Sequence, residues 1–171
     1  MNSLKKIFIA ILLLLVVTNS YAQKSINESP ASNLLTEYLS LKNALVTDNN
    51  KLAQTAAVSL SKTISLVSST QFSSEQQQVW SKYQEELLAS SLTFSNAQDL
   101  KNQRASFATL SSALYPVLKS LKINTVTLYQ QYCPMKKVTW LSEGKEIKNP
   151  YFGRQMLSCG SNQDTLISLT K

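Results

Sequence analysis

Four sulfur-containing side chains fall within one segment near the C-terminus: Cys133, Met135, Met156 and Cys159. Thiolates and thioethers are soft donors, so this set suits Cu(I) or Ag(I) better than Zn(II) or the hard oxygen-seeking ions. The spacing permits the first pair to meet the second across the intervening loop. The pattern therefore predicts a soft-metal site made from thiolates and thioethers.

The same cysteines also suit a disulfide. In an oxidising compartment, a bond between Cys133 and Cys159 would close the intervening loop and stabilise the fold by about 3 kcal/mol on a chain-entropy estimate. Met135 and Met156 would then be ordinary gap-filling residues. A thiol pair that binds Cu(I) when reduced is shut off by oxidation, so the two states would alternate. From the residues alone, both interpretations stay open.

A strand is predicted to carry the first sulfur pair. Residues 125–133, TVTLYQQYC, alternate in character and are rich in β-branched and aromatic residues, which is typical of a strand. Pro134 is expected to end it. If the extended backbone continues through Pro134, the side chains of Cys133 and Met135 point to the same side.

A short helical turn is predicted to carry the second pair. It follows a turn at Asn149 and Pro150 and a glycine, Gly153. Met156 and Cys159 are three residues apart, so one helical turn would place them on a shared face. We therefore predict a small strand-turn-helix module over residues 124–171.

The N-terminus predicts export. Lys5 and Lys6 precede an apolar run over residues 7–17, and a small-x-small cleavage pattern follows. The run is shorter than the ~20 residues that a membrane-spanning helix needs. We expect a cleavable signal peptide over residues 1–22, a single mature domain over residues 23–171 in the periplasm or secreted, and no stable membrane insertion after cleavage.

Composition argues against catalysis and against nucleic acid binding. The chain has no histidine, which removes the usual general base, and it has no phosphate-binding glycine loop. The net charge of +7 includes the two leader lysines, and basic residues concentrate between Lys136 and Arg154 rather than along one helix. We expect a binding protein rather than an enzyme. The basic segment is a solvated loop or a docking surface for an acidic partner.

Helical patterns fill residues 31–123. Apolar residues recur at helical spacing in residues 33–46 and 51–67. All three glycines lie beyond residue 143, which also favours helix in this part. Four such runs with short connections predict a mainly α fold, an up-and-down antiparallel four-helix bundle.

Capping signals and a proline set the limits of the later helices. Ser73 or Ser74, with Gln76 or Gln77, predicts a capping box at the start of the third helix. Ser95 and Gln98 predict a second capping box that opens the fourth. Pro116 is expected to kink or break that helix between Ser112 and Tyr115.

The C-terminal segment LYQQYCPMKKVTWLSEGKEIKNPYFGRQMLSCGS, with the earlier LTEYLSLKNALVTDN, resembles a family of exported bacterial domains of unknown function. Members occur alone or fused to periplasmic adaptor subunits of heavy-metal efflux pumps. The resemblance implies a copper- or silver-related role and, as partners, periplasmic components of such a system. Many members have a histidine directly before the Cys-Pro-Met element, where this chain has Tyr132.

The resemblance covers roughly the whole mature chain and rests on short motifs. They place family positions on Cys133, Pro134, Met135, Trp140, Asn149, Pro150, Tyr151, Phe152, Gly153, Met156, Cys159 and Gly160. Of these, the aromatic residues Trp140, Tyr151 and Phe152 are expected to pack the module onto the helices.

Overall fold

The computed structural model of the protein describes residues 30–168. The expected signal peptide, residues 1–22, lies outside this part of the chain, as do residues 23–29 and 169–171. None of the helices within the described part is long and apolar enough to cross a membrane.

Four helices make up the first part of the described chain, so the prediction of a mainly helical protein is confirmed. They are α1 (Pro30–Val46), α2 (Asn50–Leu66), α3 (Ser74–Asn96) and α4 (Leu100–Leu121), with a short 3-10 helix, Ser69–Gln71, between α2 and α3.

Side-chain caps fix where the helices begin. The Ser73 side chain accepts a hydrogen bond from the Gln76 backbone amide, and the Gln76 side chain accepts one from the Ser73 amide, so the predicted capping box at α3 is confirmed. The second predicted box is wrong, because α3 continues through Ser95. Asp99 caps α4 instead, since its carboxylate accepts a hydrogen bond from the Asn102 amide.

Pro116 does not break α4. The helix continues from Leu100 to Leu121 with the proline inside it, so of the kink or break predicted between Ser112 and Tyr115, the break is wrong. Val117 and Leu118 are completely buried on the far side of the proline. Their packing offsets the loss of one backbone hydrogen bond.

Hydrogen bonds join the start of one helix to the end of the next. Near the start of α2, the amide group of Gln54 donates to the carbonyl oxygen of Ala97, just after α3, over 2.8 Å. In the first turn of α3, the Gln76 amide donates to the carbonyl oxygen of Ser120, at the end of α4, over 3.2 Å. These contacts require α2, α3 and α4 to run in alternating directions.

A three-stranded antiparallel sheet follows the helices. Its strands are β1 (Leu128–Cys133), β2 (Val138–Ser142) and β3 (Ser161–Leu166), in the order β2-β1-β3. The predicted strand is confirmed as β1, although it begins at Leu128. The helical turn predicted to carry Met156 and Cys159 is wrong, because residues 156–160 form a turn after a short 3-10 helix, Gly153–Gln155. Residues 161–166 then pair with β1.

The sheet and the helices share one hydrophobic core. Tyr38 on α1 is completely buried, and its ring stacks on that of Phe107 on α4. Its hydroxyl lies 2.7 Å from the hydroxyl of Ser111 and accepts a hydrogen bond of 3.0 Å from the backbone amide of Leu141 on β2. One side chain thus ties two helices to the sheet.

Candidate functional site

The pairing of β1 with β3 brings the two cysteines to the same end of the sheet. Tyr132 on β1 pairs with Ser161 on β3. Cys133 is the last residue of β1, and Cys159 lies two residues before β3 begins. The two cysteines therefore approach this end of the sheet on adjacent strands.

The two methionines lie in the turns beside these strand ends. Met135 is in the turn between β1 and β2 and is 65% exposed, and the neighbouring Pro134 is exposed as well. Met156 is 39% exposed, and its carbonyl oxygen accepts a hydrogen bond of 3.2 Å from the backbone amide of Cys159. We call these four residues, Cys133, Met135, Met156 and Cys159, the sulfur end.

The members of the sulfur end differ in their exposure to solvent. Cys133 is completely buried and belongs to the hydrophobic core, whereas Cys159 is half-buried. Both thiols are free in this structure. The two methionines and Cys159 are thus at least partly open to solvent, whereas Cys133 is not.

A buried asparagine holds the turn that carries Met156 and Cys159. The side-chain amide of Asn149 donates to the carbonyl oxygen of Cys159 over 2.6 Å, and its oxygen accepts from the Tyr151 backbone amide over 2.8 Å. The Asn149 backbone amide donates to the carbonyl oxygen of Leu157 over 2.7 Å. Because Asn149 is completely buried, water does not compete for these bonds.

Gly160 permits the close approach of this segment to the sheet. A Cβ atom at Gly160 would lie 2.8 Å from Cη2 of Trp140 and 2.9 Å from the carbonyl oxygen of Tyr132. Trp140 is buried, so its ring cannot move away without disturbing the core. The glycine therefore helps to position the adjacent Cys159.

Gln131 fastens the loop after β2 to the sheet. It is completely buried on β1, and its side-chain amide group lies within hydrogen-bonding distance of the carbonyl oxygens of Gly144, Lys145 and Glu146, at 3.2, 3.4 and 3.3 Å. The same group lies 3.0 Å from the side-chain oxygen of Asn162. The loop is thereby held against the sheet.

Tyr151 packs the loop against the helices. Its ring centroid lies 5.5 Å from that of Phe107 and 6.0 Å from that of Trp140. Its hydroxyl donates to the carbonyl oxygen of Thr139 over 2.5 Å. Burial raises the pKa of Tyr151 well above the ordinary tyrosine value, so the hydroxyl stays protonated as a donor.

An ion pair locks the Asn149 to Gly153 motif onto the helices. The Arg104 guanidinium donates through Nη2 to Asp48 over 2.5 Å and through Nε to the carbonyl oxygen of Pro150, which is buried, over 2.9 Å. Gly153 has a left-handed backbone, with φ of 57°, and a Cβ atom there would clash with the Asp48 carboxylate. The sequence does not predict this pair, because Asp48 and Arg104 are 56 positions apart and nothing local links them.

A second ion pair was also missed. Lys42 on α1 is 1% exposed, and its ammonium donates to the carboxylate of Glu143 over 2.8 Å. Burial lowers the pKa of Lys42, while the nearby carboxylate opposes that effect. The sequence does contain a sign of this pair. Lys42 stands beside the apolar stripe of α1, at a position that faces the core and therefore requires a partner for its charge.

Residues 30–168 contain no group of three or more histidine, cysteine, aspartate or glutamate side chains placed to hold a metal ion. The donor set considered at the sulfur end is of a different kind, because two of its members are thioethers. Thiolates and thioethers are the donor types that soft cations such as Cu(I) and Ag(I) prefer.

One known protein family matches the helical part of the chain. The family described as "Protein of unknown function (DUF3347)" matches residues 34–125. The chain belongs to this family. The expectation of a domain of unknown function is thus confirmed, and the DUF3347 match covers most of α1 and all of α2, α3 and α4.

The DUF3347 match ends before β1 begins at Leu128. It therefore does not include the sulfur end, on which much of the sequence resemblance was placed. The family description names neither a metal nor an efflux system. Searches of curated proteins and of solved structures found no match.

Proposed function

We propose that this protein binds Cu(I) or Ag(I) at the sulfur end and acts as a metal-handling protein of the periplasm or of the secreted fraction, without catalytic activity. The proposed scaffold is an up-and-down antiparallel four-helix bundle that carries the sheet. The metal is cargo, to be buffered or passed on.

The observation that carries this proposal is the pairing of Tyr132 with Ser161. It brings Cys133 and Cys159 to adjacent strand ends, with Met135 and Met156 in the flanking turns. Soft cations prefer such donors, and thiolates and thioethers together select Cu(I) or Ag(I) over harder competitors. Exposed thioethers suit the capture of a metal from a donor, and a buried thiol suits its retention.

Periplasmic components of a heavy-metal efflux system are the proposed partners. This step rests on the resemblance of the sulfur-end motifs to efflux-associated domains. The basic residues that surround the sulfur end, Lys136, Lys137 and Arg154 among them, are exposed and suit an acidic partner surface.

The test is a Cu(I) titration of the reduced protein against a chromophoric chelator, with wild type compared with Cys159→Ser, Met135→Leu and Met156→Leu. We expect one equivalent of Cu(I) to be retained by wild type. We expect the affinity to fall most in the thiol variant, because a thiolate is a stronger ligand than a thioether. Leu157→Ala is the matched control, since Leu157 is a 40% exposed residue of the same turn without sulfur. Equal affinity in wild type and Cys159→Ser would refute the proposal.

A disulfide-stabilised interaction module without metal is the second candidate. The same strand pairing favours it, because adjacent strand ends suit a bond between Cys133 and Cys159. Intact mass of the protein recovered from the exported fraction separates the two. A mass lower by two hydrogens supports the disulfide, and free thiols with retained Cu(I) support the metal site.

A further inference from the structure

A groove of about 420 Å³ lies where the C-terminal module meets α4. One wall is formed by α4 through Arg104, Ala105 and Ala108, and the other by Val138 and the aromatic side chains of Tyr151 and Phe152. The volume falls in the range of small-molecule sites, about 300–1,000 Å³. No cysteine or methionine lines the groove, although Lys136 and Gln155 in its lining are next in sequence to Met135 and Met156.

The charges at this groove are all positive. Its lining includes Lys101, Arg104 and Lys136 and no carboxylate. Arg104 is already paired with Asp48, but Lys101 and Lys136 form no ion pair within residues 30–168. Two uncompensated ammonium groups therefore remain at one concave, mainly apolar surface.

The groove has a preformed aromatic side. The Lys136 ammonium lies over the Phe152 ring, 5.7 Å from its centroid, so a positive charge and an aromatic ring meet at the groove. Arg104 is only 17% exposed and is fixed by Asp48 and the carbonyl oxygen of Pro150. Among residues 30–168, its hydrogen bonds are made by Nε and Nη2, which leaves Nη1 as a spare donor.

We infer that this groove binds a small organic anion, a carboxylate attached to a planar apolar body. The apolar body rests against Phe152 and the alanines of α4, while the carboxylate faces Lys101, Lys136 and the spare donor of Arg104. A carboxylate neutralises the charge of both unpaired ammonium groups and accepts their hydrogen bonds. The apolar walls exclude water from around the bound anion. The inference does not depend on metal binding.

The test is calorimetric titration of the purified protein with 2-naphthoate, with 2-naphthamide and acetate as comparisons. The amide keeps the apolar body without the charge, and acetate keeps the charge without the body. We expect 2-naphthoate to bind more tightly than either. We expect added salt to weaken it, since the lysines are exposed.

The double variant Lys101→Met with Lys136→Met should bind 2-naphthoate about fivefold to tenfold more weakly. Lys51→Met with Lys62→Met is the matched control, because both of these lysines are exposed and lie on α2, outside the groove. It should bind as wild type does. Amide chemical shifts should change at Ala105 and Phe152 on binding.

Three results would overturn the inference: naphthoate that binds no more tightly than naphthamide, a Lys101 and Lys136 variant that binds like wild type, or shift changes that lie outside the groove. Loss of Cu(I) binding in the sulfur-end variants, with naphthoate binding intact, would leave the groove unaffected. The two proposals therefore fail separately.

Discussion

Tyr132 on β1 pairs with Ser161 on β3, and this register places Cys133 and Cys159 at one end of the sheet. Strand pairing rather than a local motif brings two cysteines that are far apart in sequence to the same end of the sheet. Their exposure differs, however, because Cys133 lies in the core and Cys159 is half-buried.

This difference predicts unequal reactivity of the two thiols. In the reduced, metal-free protein, Cys159 should react with iodoacetamide much faster than Cys133, because a buried thiol reacts only after local opening. Peptide mass spectrometry after short labelling measures both rates. In urea the rates should become similar. Equal labelling of both cysteines in the native protein would contradict this placement.

Gly153→Ala should destabilise the protein by about 1–3 kcal/mol. The backbone at Gly153 is left-handed, and a Cβ atom there would collide with the Asp48 carboxylate and the Arg104 guanidinium. Gly144→Ala is the control, since nothing lies within 4 Å of the added Cβ atom. Thermal unfolding of both variants measures the difference. Equal melting temperatures would show that the contact between Gly153 and the ion pair is unimportant.

Tyr38→Phe should cost about 1–3 kcal/mol of unfolding free energy, because it leaves the buried amide of Leu141 without its acceptor. Tyr83→Phe removes a hydroxyl that makes no hydrogen bond to residues 30–168, and it should change stability by less than about 0.5 kcal/mol. Urea unfolding of each variant tests the comparison. A Tyr38 variant as stable as wild type would mean that this hydroxyl does not join the sheet to the helices.

Glu143→Gln should destabilise the protein by about 1–3 kcal/mol at neutral pH, because the buried ammonium of Lys42 loses its charged partner. Burial alone would raise the pKa of Glu143, but hydrogen bonds from Lys42 and Asn43 outweigh it and lower the pKa below the ordinary 4.5. The stabilisation is therefore complete above pH 4.5 and is lost as the pH falls through the lowered pKa of the folded state.

Urea unfolding at pH 7 and at pH 2 measures this dependence. The difference between wild type and Glu143→Gln should shrink at the lower pH, where the wild-type carboxyl is protonated. Glu146→Gln is the control, since the Glu146 side chain is 76% exposed and its pair with Lys148 should contribute less than about 1 kcal/mol. A difference that does not change with pH would rule out the Glu143 carboxylate as its source.

The sequence predicted the helices well, because their apolar spacing and caps are local. The box of Ser73 and Gln76 has the expected hydrogen bonds. The capping box predicted from Ser95 and Gln98 is wrong, because Ser95 lies within α3. Asp99, which follows, caps α4 instead. The break predicted at Pro116 is wrong for a different reason. Tertiary packing of the last turn of α4 outweighs the backbone hydrogen bond that the proline removes.

The sheet was harder to predict. The residues of β3, SNQDTL, are mostly polar and exposed, so neither alternation nor β-propensity marks them as a strand. Their conformation comes from pairing with β1, which is a long-range interaction. The β2 residues Val138–Ser142 lie within a basic segment whose charge predicts a solvated loop rather than a strand.

The candidate site was predictable in its residue types but not in its surroundings. The Cys and Met donors stand out by composition. The ion pairs Arg104 with Asp48 and Lys42 with Glu143 do not, because each joins α4 or α1 to a distant loop. Long-range pairs of this kind leave no periodic signal in a single sequence.

The most direct test of the account is copper K-edge X-ray absorption of the Cu(I)-loaded protein. Metal held at the sulfur end predicts a first shell of sulfur atoms alone, with the sulfur count lowered in Cys159→Ser and unchanged in Leu157→Ala. A first shell of nitrogen or oxygen, or a spectrum that Cys159→Ser leaves unchanged, would contradict the proposal that this chain carries soft metal through its paired strand ends.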